Sequence, residues 1–273
     1  MRQVLVTGGT GVLGHELVAR LGAAGYPVRI MSRRARRPHE WPATEWAQAD
    51  LATGVGLGEA VAGVQSIVHA ATRSGISSLF YHAPAVDVVG TERLLSHTQA
   101  AGVGHIVYVS IVGIDQIPIP YYRHKVEAER LVQASGVPWS IVRIAQFHTL
   151  IDSMLRPAAR LPFVLLPMDF RFQPIAPGDA AEAVVAQVGN GPGGLAPNVG
   201  GPEVQTLGDL ARIWLVQRGL RRRLMHLPLP GRVADAYRRG LNTCPDRRSG
   251  TIGWAEWVRR AYPGTGAPRH EEA

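Results

Sequence analysis

The run "VLVTGGTGVLGHELV", residues 4–18, sets glycines at 8, 9, 11 and 14 between a β-branched apolar stretch and an amphipathic one. A strand must pass there into a helix through a turn too tight for side chains. Two spacings fit, Gly8-x-x-Gly11-x-x-Gly14 and Gly9-x-Gly11-x-x-Gly14. Both allow a pyrophosphate to approach backbone N–H groups at a helix N-terminus. The turn therefore predicts a dinucleotide cradle made by Thr7, Gly8, Gly9, Thr10, Gly11, Val12, Leu13 and Gly14.

The same alternation continues through "PVRIMS", "QSIVHAA", "PAVDVVGTERLLSHTQAAG", "HIVYVS", "KVEAERLVQASG" and "PWSIVRI". Strands alternating with helices of this length predict an α/β fold, a doubly wound parallel Rossmann sheet with helices on both faces. Helical runs end at Gly25, Gly102 and Gly136, where left-handed caps are expected. The rhythm holds to about residue 145. We expect a dinucleotide-binding domain over 1–146 and a small, mainly helical substrate-binding portion over 147–263, with core elements returning at about 173–200. A flexible tail is expected over 264–273. Within the second portion, the stretch from Gln146 to Pro174 reads as a pocket wall or lid. Asp179 opens one helix, Thr206 caps another, and Leu220–Tyr262 reads as mainly helical.

Composition narrows the partners. The chain has 29 basic against 21 acidic residues, a net charge of +8, which favours an anionic ligand without saying which. Arg221, Arg222 and Arg223 lack interleaved aromatics, so they predict a solvated face or a subunit contact, and no nucleic acid. One cysteine, Cys244, excludes an internal disulfide and suits a reducing compartment. A strand begins almost at the N-terminus, and no run approaches the ~20 apolar residues of a membrane span. A cytoplasmic monomer or homodimer acting on a small molecule, with no membrane partner, is the expectation. No spacing suggests a metal site or a Gly-x-Ser-x-Gly elbow.

"IMSRRARRP" follows the second strand, where an Asp or Glu would hydrogen-bond a ribose 2′-hydroxyl. Ser32, Arg33 and Arg34 stand there instead. Guanidinium forks and a hydroxyl suit a 2′-phosphate, so the cofactor expected is NADP(H), with Arg33 the main contact and Arg34 the second. Arg36 and Arg37 read as solvated. Asp50 and Leu51, after the third strand, are expected at the adenine edge.

"PYYRHKVEAERLV" opens a helix after the fifth strand and puts Tyr121 and Lys125 four apart on one face. A phenol can give a proton to a carbonyl oxygen if its pKa is brought down from ~10, and a neighbouring ammonium would do that while binding ribose hydroxyls. Lys125 is the chain's one lysine among 29 basic residues.

"TGGTGVLG", "VHAA", "YVS" and Tyr121-x-x-x-Lys125 resemble the short-chain dehydrogenase/reductase superfamily. The glycine spacing, "PWSIVR" with the following "QFH", and "NVGGPE" look more like its extended and atypical members. These include NmrA-like proteins, complex I accessory-subunit relatives and isoflavone-reductase-like enzymes. The resemblance covers roughly residues 1–215 and implies a seven-stranded Rossmann core with a bound dinucleotide. It also implies that Ala70, Ala71 and Thr72 after the fourth strand, and Ala145, Gln146, Phe147 and His148 after the sixth, face cofactor and substrate. Arg73 would line the same cleft, and His69 reads as a strand-end core histidine. Catalytic members carry a Ser or Thr shortly after the fifth strand. "YVSIVGID" offers Ser110, but Ile111 and Val112 follow it; if Ser110 points into the core, His148 is the stand-in donor. The expected activity is an NADP(H)-dependent oxidoreductase acting on a small, fairly apolar carbonyl or conjugated substrate, with Tyr121 as acid/base and Lys125 as its tuner. The alternative is a non-catalytic NADP(H)-sensing regulator or assembly protein.

Overall fold

Val4–Thr7 is buried at every position and forms β1, as a strand covered on both faces must be. In the computed structural model, residues 3–35, 44–72 and 86–263 are described. After β1 come α1 (Val12–Ala23), β2 (Val28–Ser32), β3 (Glu45–Gln48), α2 (Leu57–Val61) and β4 (Ser66–His69). Then follow α3 (Val89–Ala100), β5 (His105–Ile111), α4 (Pro120–Ala134) and β6 (Trp139–Ile144). The chain continues through α5 (His148–Ala158), β7 (Phe163–Leu166), β8 (Arg171–Phe172), α6 (Pro177–Asn190) and β9 (Gly194–Leu195). It closes with β10 (Gln205–Thr206), α7 (Leu207–Gln217), β11 (Arg223–His226), α8 (Arg232–Arg239) and α9 (Trp254–Ala261).

Seven strands form one sheet in the order β3-β2-β1-β4-β5-β6-β9, and every pairing is parallel. From β1 the chain winds outward to β3, then returns to lay β4 on the other side of β1. That reversal opens a crevice at the carboxyl ends of β1 and β4, where open α/β sheets bind ligands. The faces follow strand alternation. Val4 and Val6 meet Leu13, Leu17 and Leu21 of α1 and Ala180 and Val184 of α6. Leu5 faces the other way, with Leu57, Leu94, Ala128 and Val132 from α2, α3 and α4. A one-residue slip of β1 would exchange these sets, so its register is strongly specified.

The later segment holds more regular structure than its sequence suggests. The stretch expected as a wall or lid contains α5, β7 and β8. The stretch expected as mainly helical holds α8 and α9 but also β11, which pairs parallel with β7 in the register Arg223↔Phe163. Short strands flanked by prolines and arginines carry too few residues for their alternation to show, and the partner lies far along the chain. Asp179 lies in the first turn of α6, and Thr206 caps α7 by accepting from the Asp209 N–H. Gly25, Gly102 and Gly136 all have positive φ. No helix among the described residues is long and apolar enough to cross a membrane.

Candidate functional site

At Gly8 the backbone is left-handed, φ +71°, and a Cβ there would lie 2.8 Å from the Ala71 backbone. The glycine turn and the end of β4 therefore abut. A Cβ on Gly14 would lie 2.0 Å from the Gly8 carbonyl oxygen and 2.6 Å from Gly9 Cα. The first bond within α1 runs from His15 N–H to Gly11 O, and no side chain caps the helix. The first-turn amides of Val12, Leu13 and Gly14 thus lack helix acceptors, and Thr10, Gly11 and Val12 are exposed. A turn with no room for a Cβ at Gly8 or Gly14, followed by N–H groups without helix acceptors, fits a pyrophosphate.

Thr7 differs from expectation. Its side chain is fully buried, and its Oγ1 accepts the Ala71 N–H at 3.2 Å and meets His69 Nδ1 at 2.7 Å. On the far side, His69 Nε2 lies 2.9 Å from Thr91 Oγ1, which donates to the Asp87 carbonyl. The Thr91 proton is thereby used, so Nε2 carries the ring proton and Nδ1 accepts from Thr7. Burial, reinforced by the Lys125 charge, holds the His69 pKa down at about 3. His69 is a neutral core histidine, and Thr7 orders the strand ends behind the cradle.

On the adenosine side, half-buried Ser32 accepts the Arg34 N–H at 3.2 Å. The Arg34 carbonyl takes the Trp46 indole N–H at 2.8 Å, which ties this turn to β3. Both Arg33 and Arg34 are exposed, and among the described residues neither guanidinium pairs with a carboxylate. Arg33 and Asp50 line one open groove with Trp46 and Gln48. The Asp50 carboxylate accepts from Ala52 N–H at 2.9 Å and shapes its own loop, and Leu51 is buried behind it. Arg36, Arg37 and Arg73 lie outside the described residues.

At the opposite end of the crevice, Pro120 starts α4 in the position where a missing N–H costs nothing. Tyr121, Lys125, Ala128 and Glu129 share its buried face. The Tyr121 hydroxyl lies 2.7 Å from Thr72 Oγ1, just beyond β4, and Thr72 donates to Asp87 Oδ1 at 2.5 Å. Lys125, 3% exposed, donates to the Val109 carbonyl at 3.0 Å and sits over the Tyr108 ring at 4.2 Å from its centroid. The expected tuning is absent here. Burial first, and then the Asp87 charge, raise the Tyr121 pKa above 10.0, partly offset by the Thr72 hydrogen bond. Burial lowers the Lys125 pKa against the pull of Asp87 and Glu129.

Ser110 and His148 do not join this group by any hydrogen bond among the described residues. Ser110 is 2% exposed on the same face of β5 as Tyr108, and its Oγ has no hydrogen-bond partner among the described residues. His148 is fully buried and packs tilted against Trp254 and Trp257, with ring centroids 5.6 and 5.5 Å away, between α5 and α9. Burial pushes its pKa down to about 4, against Asp179 and the Pro174 backbone. It is a packed wall residue rather than a proton donor. The loop after β6 is pinned: Ala145 N–H donates to Val199 O, Gln146 Oε1 accepts from buried Asn242, and half-buried Phe147 bridges to Ile175. Half-buried Ala70 and Ala71 sit at the β4 end, against the glycine turn.

The histidines make acid sensitivity predictable. Both have folded-state pKa values below the ordinary 6.5, so the unfolded chain binds more protons beneath that pH. Their contribution is complete above about pH 6.5 and is lost as pH falls toward about 4 for His148 and about 3 for His69. Urea unfolding measured across this range should show falling stability, and His148→Phe should flatten the fall between about 6.5 and about 4. An unchanged slope would place the proton uptake elsewhere.

A sequence profile of a family described as NAD(P)H-binding matches residues 8–159. The (4-alkanoyl-5-oxo-2,5-dihydrofuran-3-yl)methyl phosphate reductase of Streptomyces griseus is 34% identical over 209 residues, 74% of this chain and 69% of that protein. The photosystem II assembly factor Ycf39 of Trieres chinensis is 30% identical over 151 residues, 53% of this chain but only 46% of that protein. Among solved structures, the NADPH-dependent quinone oxidoreductase QOR2 of Escherichia coli, complexed with NADPH, aligns with a TM-score of 0.79. That match covers 94% of this chain and 99% of the other at 19% identity, which shows a shared fold. With its glycine cradle at the turn of a doubly wound parallel sheet, this chain belongs to the NAD(P)H-binding family of Rossmann-fold proteins.

Proposed function

We propose that the protein is an NADP(H)-dependent oxidoreductase acting on a small, fairly apolar carbonyl or conjugated substrate. One observation carries this reading: the phosphate cradle and the phenol meet at the same strand end. Gly8 abuts Ala71, and the next residue, Thr72, holds the Tyr121 hydroxyl. A dinucleotide lying from the α1 N-terminus along this crevice would bring its far ring to Tyr121.

The dinucleotide, when bound, supplies or takes up the hydride. The α1 amides bind the pyrophosphate, Ser32, Arg33 and Arg34 the 2′-phosphate, and Lys125 the ribose hydroxyls. Ala70, Ala71 and the Ala145–Phe147 loop wall the nicotinamide end. Tyr121 exchanges a proton with the substrate oxygen. Ile114, Ile117, Ile119, Tyr122 and Phe170 pack in one apolar cluster with Tyr121, and this supports an apolar substrate. The protein acts in the cytoplasm as a monomer or homodimer, and the buried free thiol of Cys244 is in keeping with that reducing compartment.

Removing both side chains in Arg33→Ala/Arg34→Ala should weaken NADPH binding roughly 10–100-fold, as expected for lost charge-assisted hydrogen bonds. NADH binding should hardly change. Calorimetric titration with both dinucleotides reads the difference, and equal losses would refute the 2′-phosphate assignment. The burial of Ser110 favours a second reading, a non-catalytic NADP(H)-sensing or assembly protein. It predicts tight NADPH binding without turnover of any carbonyl compound.

A further inference from the structure

Behind Tyr121 stand Thr72 and Asp87, which the mechanism above leaves unused. The Thr72 hydroxyl has one proton and gives it to Asp87 Oδ1 at 2.5 Å. The 2.7 Å contact between Thr72 and Tyr121 must then be donated by the phenol. The chain of donors runs one way, from Tyr121 Oη to Thr72 Oγ1 to the Asp87 carboxylate. That leaves the phenol oxygen's lone pairs, not its proton, free for a substrate. Asp87 is 4% exposed and is held from its other side, because its carbonyl accepts from Thr91 in the His69 network.

We propose that Tyr121, Thr72 and Asp87 form a proton relay in which the carboxylate, not a phenolate, is the terminal base. The proposal rests on Tyr121 being the group at the substrate oxygen. In the oxidative direction the substrate O–H bond breaks and its proton passes to Tyr121 Oη. The phenolic proton passes to Thr72 Oγ1, and the Thr72 proton to Asp87 Oδ1, which becomes a carboxylic acid. The carbinol C–H pair leaves as hydride to the oxidised dinucleotide, and the C=O bond forms. Reduction reverses each transfer, with the proton drawn from the Asp87 carboxylic acid. The phenol is neutral at both ends of the reaction, so its pKa has no need to fall. Thr72 and Asp87 act through Tyr121 and are positioning residues.

Among the described residues, charged and titratable groups around the relay stand on β4, β5 and α4. Lys125 and Glu129 on α4 act on Asp87 and Tyr108, Tyr122 lies beside Tyr121, and neutral His69 lies on β4. Of these, the Asp87 charge weighs most heavily against ionising Tyr121, after burial itself.

The test reads the phenol directly, in the full chain without added dinucleotide. With carbon-13 at Cζ of the tyrosines, the Tyr121 resonance is assigned by its loss in Tyr121→Phe and followed as pH rises. It should keep its neutral position through pH 10, and Asp87→Asn should move its ionisation to lower pH. A resonance that titrates at or below 10 in the wild type, or is unmoved by Asp87→Asn, overturns the relay. If Asp87→Asn does not fold, Thr72→Val against Thr72→Ser decides the matter, using reduction of 9,10-phenanthrenequinone by NADPH. Valine should lower kcat ~10²-fold or more with KM little changed, and serine should restore it. Wild-type kcat in Thr72→Val, with Tyr121→Phe inactive, removes the relay and leaves the proposed activity standing. Full kcat in Tyr121→Phe removes the relay and Tyr121 as the acid, whereas no turnover by the wild type removes the proposed activity.

Discussion

Tyr121→Phe should lower turnover ~10²–10⁴-fold, the range for loss of a positioned acid or base, while NADPH binding stays unchanged. The phenyl ring keeps the packing in the apolar cluster of Ile114, Ile119, Tyr122 and Ile151, so the loss is confined to the hydroxyl. Removing that hydroxyl also leaves Thr72 Oγ1 without its donor, although Asp87 still accepts from Thr72. The variant should therefore remain folded, with destabilisation of about 1 kcal/mol as for a single hydrogen bond. Stopped-flow reduction of a quinone probe reads the rate, and calorimetry reads the affinity. Retained turnover would reassign the acid, with Tyr122 the nearest alternative. Its hydroxyl lies 3.3 Å from that of Tyr237.

Gly14→Ala should weaken dinucleotide binding by about two orders of magnitude or more. The added methyl would sit 2.0 Å from the Gly8 carbonyl oxygen and 2.6 Å from Gly9 Cα, and these are backbone atoms that cannot rotate away. The start of α1 must lift off the turn, at a cost on the order of 1–3 kcal/mol in stability. The Val12, Leu13 and Gly14 amides move with it. Each hydrogen bond to a charged phosphate contributes about 1.5–3 kcal/mol, so losing two weakens NADPH binding ~10²-fold or more. Gly22, in the same helix with nothing within 4 Å of an added Cβ, is the control. Gly22→Ala should stabilise by about 0.5–1 kcal/mol without touching affinity. Equal affinity in both variants would remove the pyrophosphate from the α1 N-terminus.

Much of the sheet could be read from the chain because its signals are local. The glycine turn, the short apolar strands up to Ile144 and the helix ends at Gly25, Gly102 and Gly136 each declare themselves within a few residues. Tyr121 and Lys125 were visible for the same reason, since four residues are one helical turn. What stayed hidden depends on contacts between distant residues. Thr72 and Asp87 are brought together from fifteen positions apart, and nothing in "AAT" or "AVDVV" announces that they meet behind a phenol. His148 read as a possible acid because imidazole chemistry is local, whereas the two tryptophans that enclose it come from α9, over a hundred residues later. The direction of the Tyr121 pKa was hidden for a related cause. Spacing put an ammonium near the phenol, but spacing cannot show that the ammonium points to the Val109 carbonyl and that a carboxylate stands closer in effect.

The return of α6 and β9 to the main sheet has a practical outcome for anyone cutting the protein. A fragment ending at Gln146 would strip Ala180, Ala181 and Val184 from the apolar side of α1 and leave β6 as a bare margin. Such a piece would carry every cradle glycine and still be expected to clump. The chain after Gln146 completes the sheet begun before it, so the two stretches are grafted or deleted together.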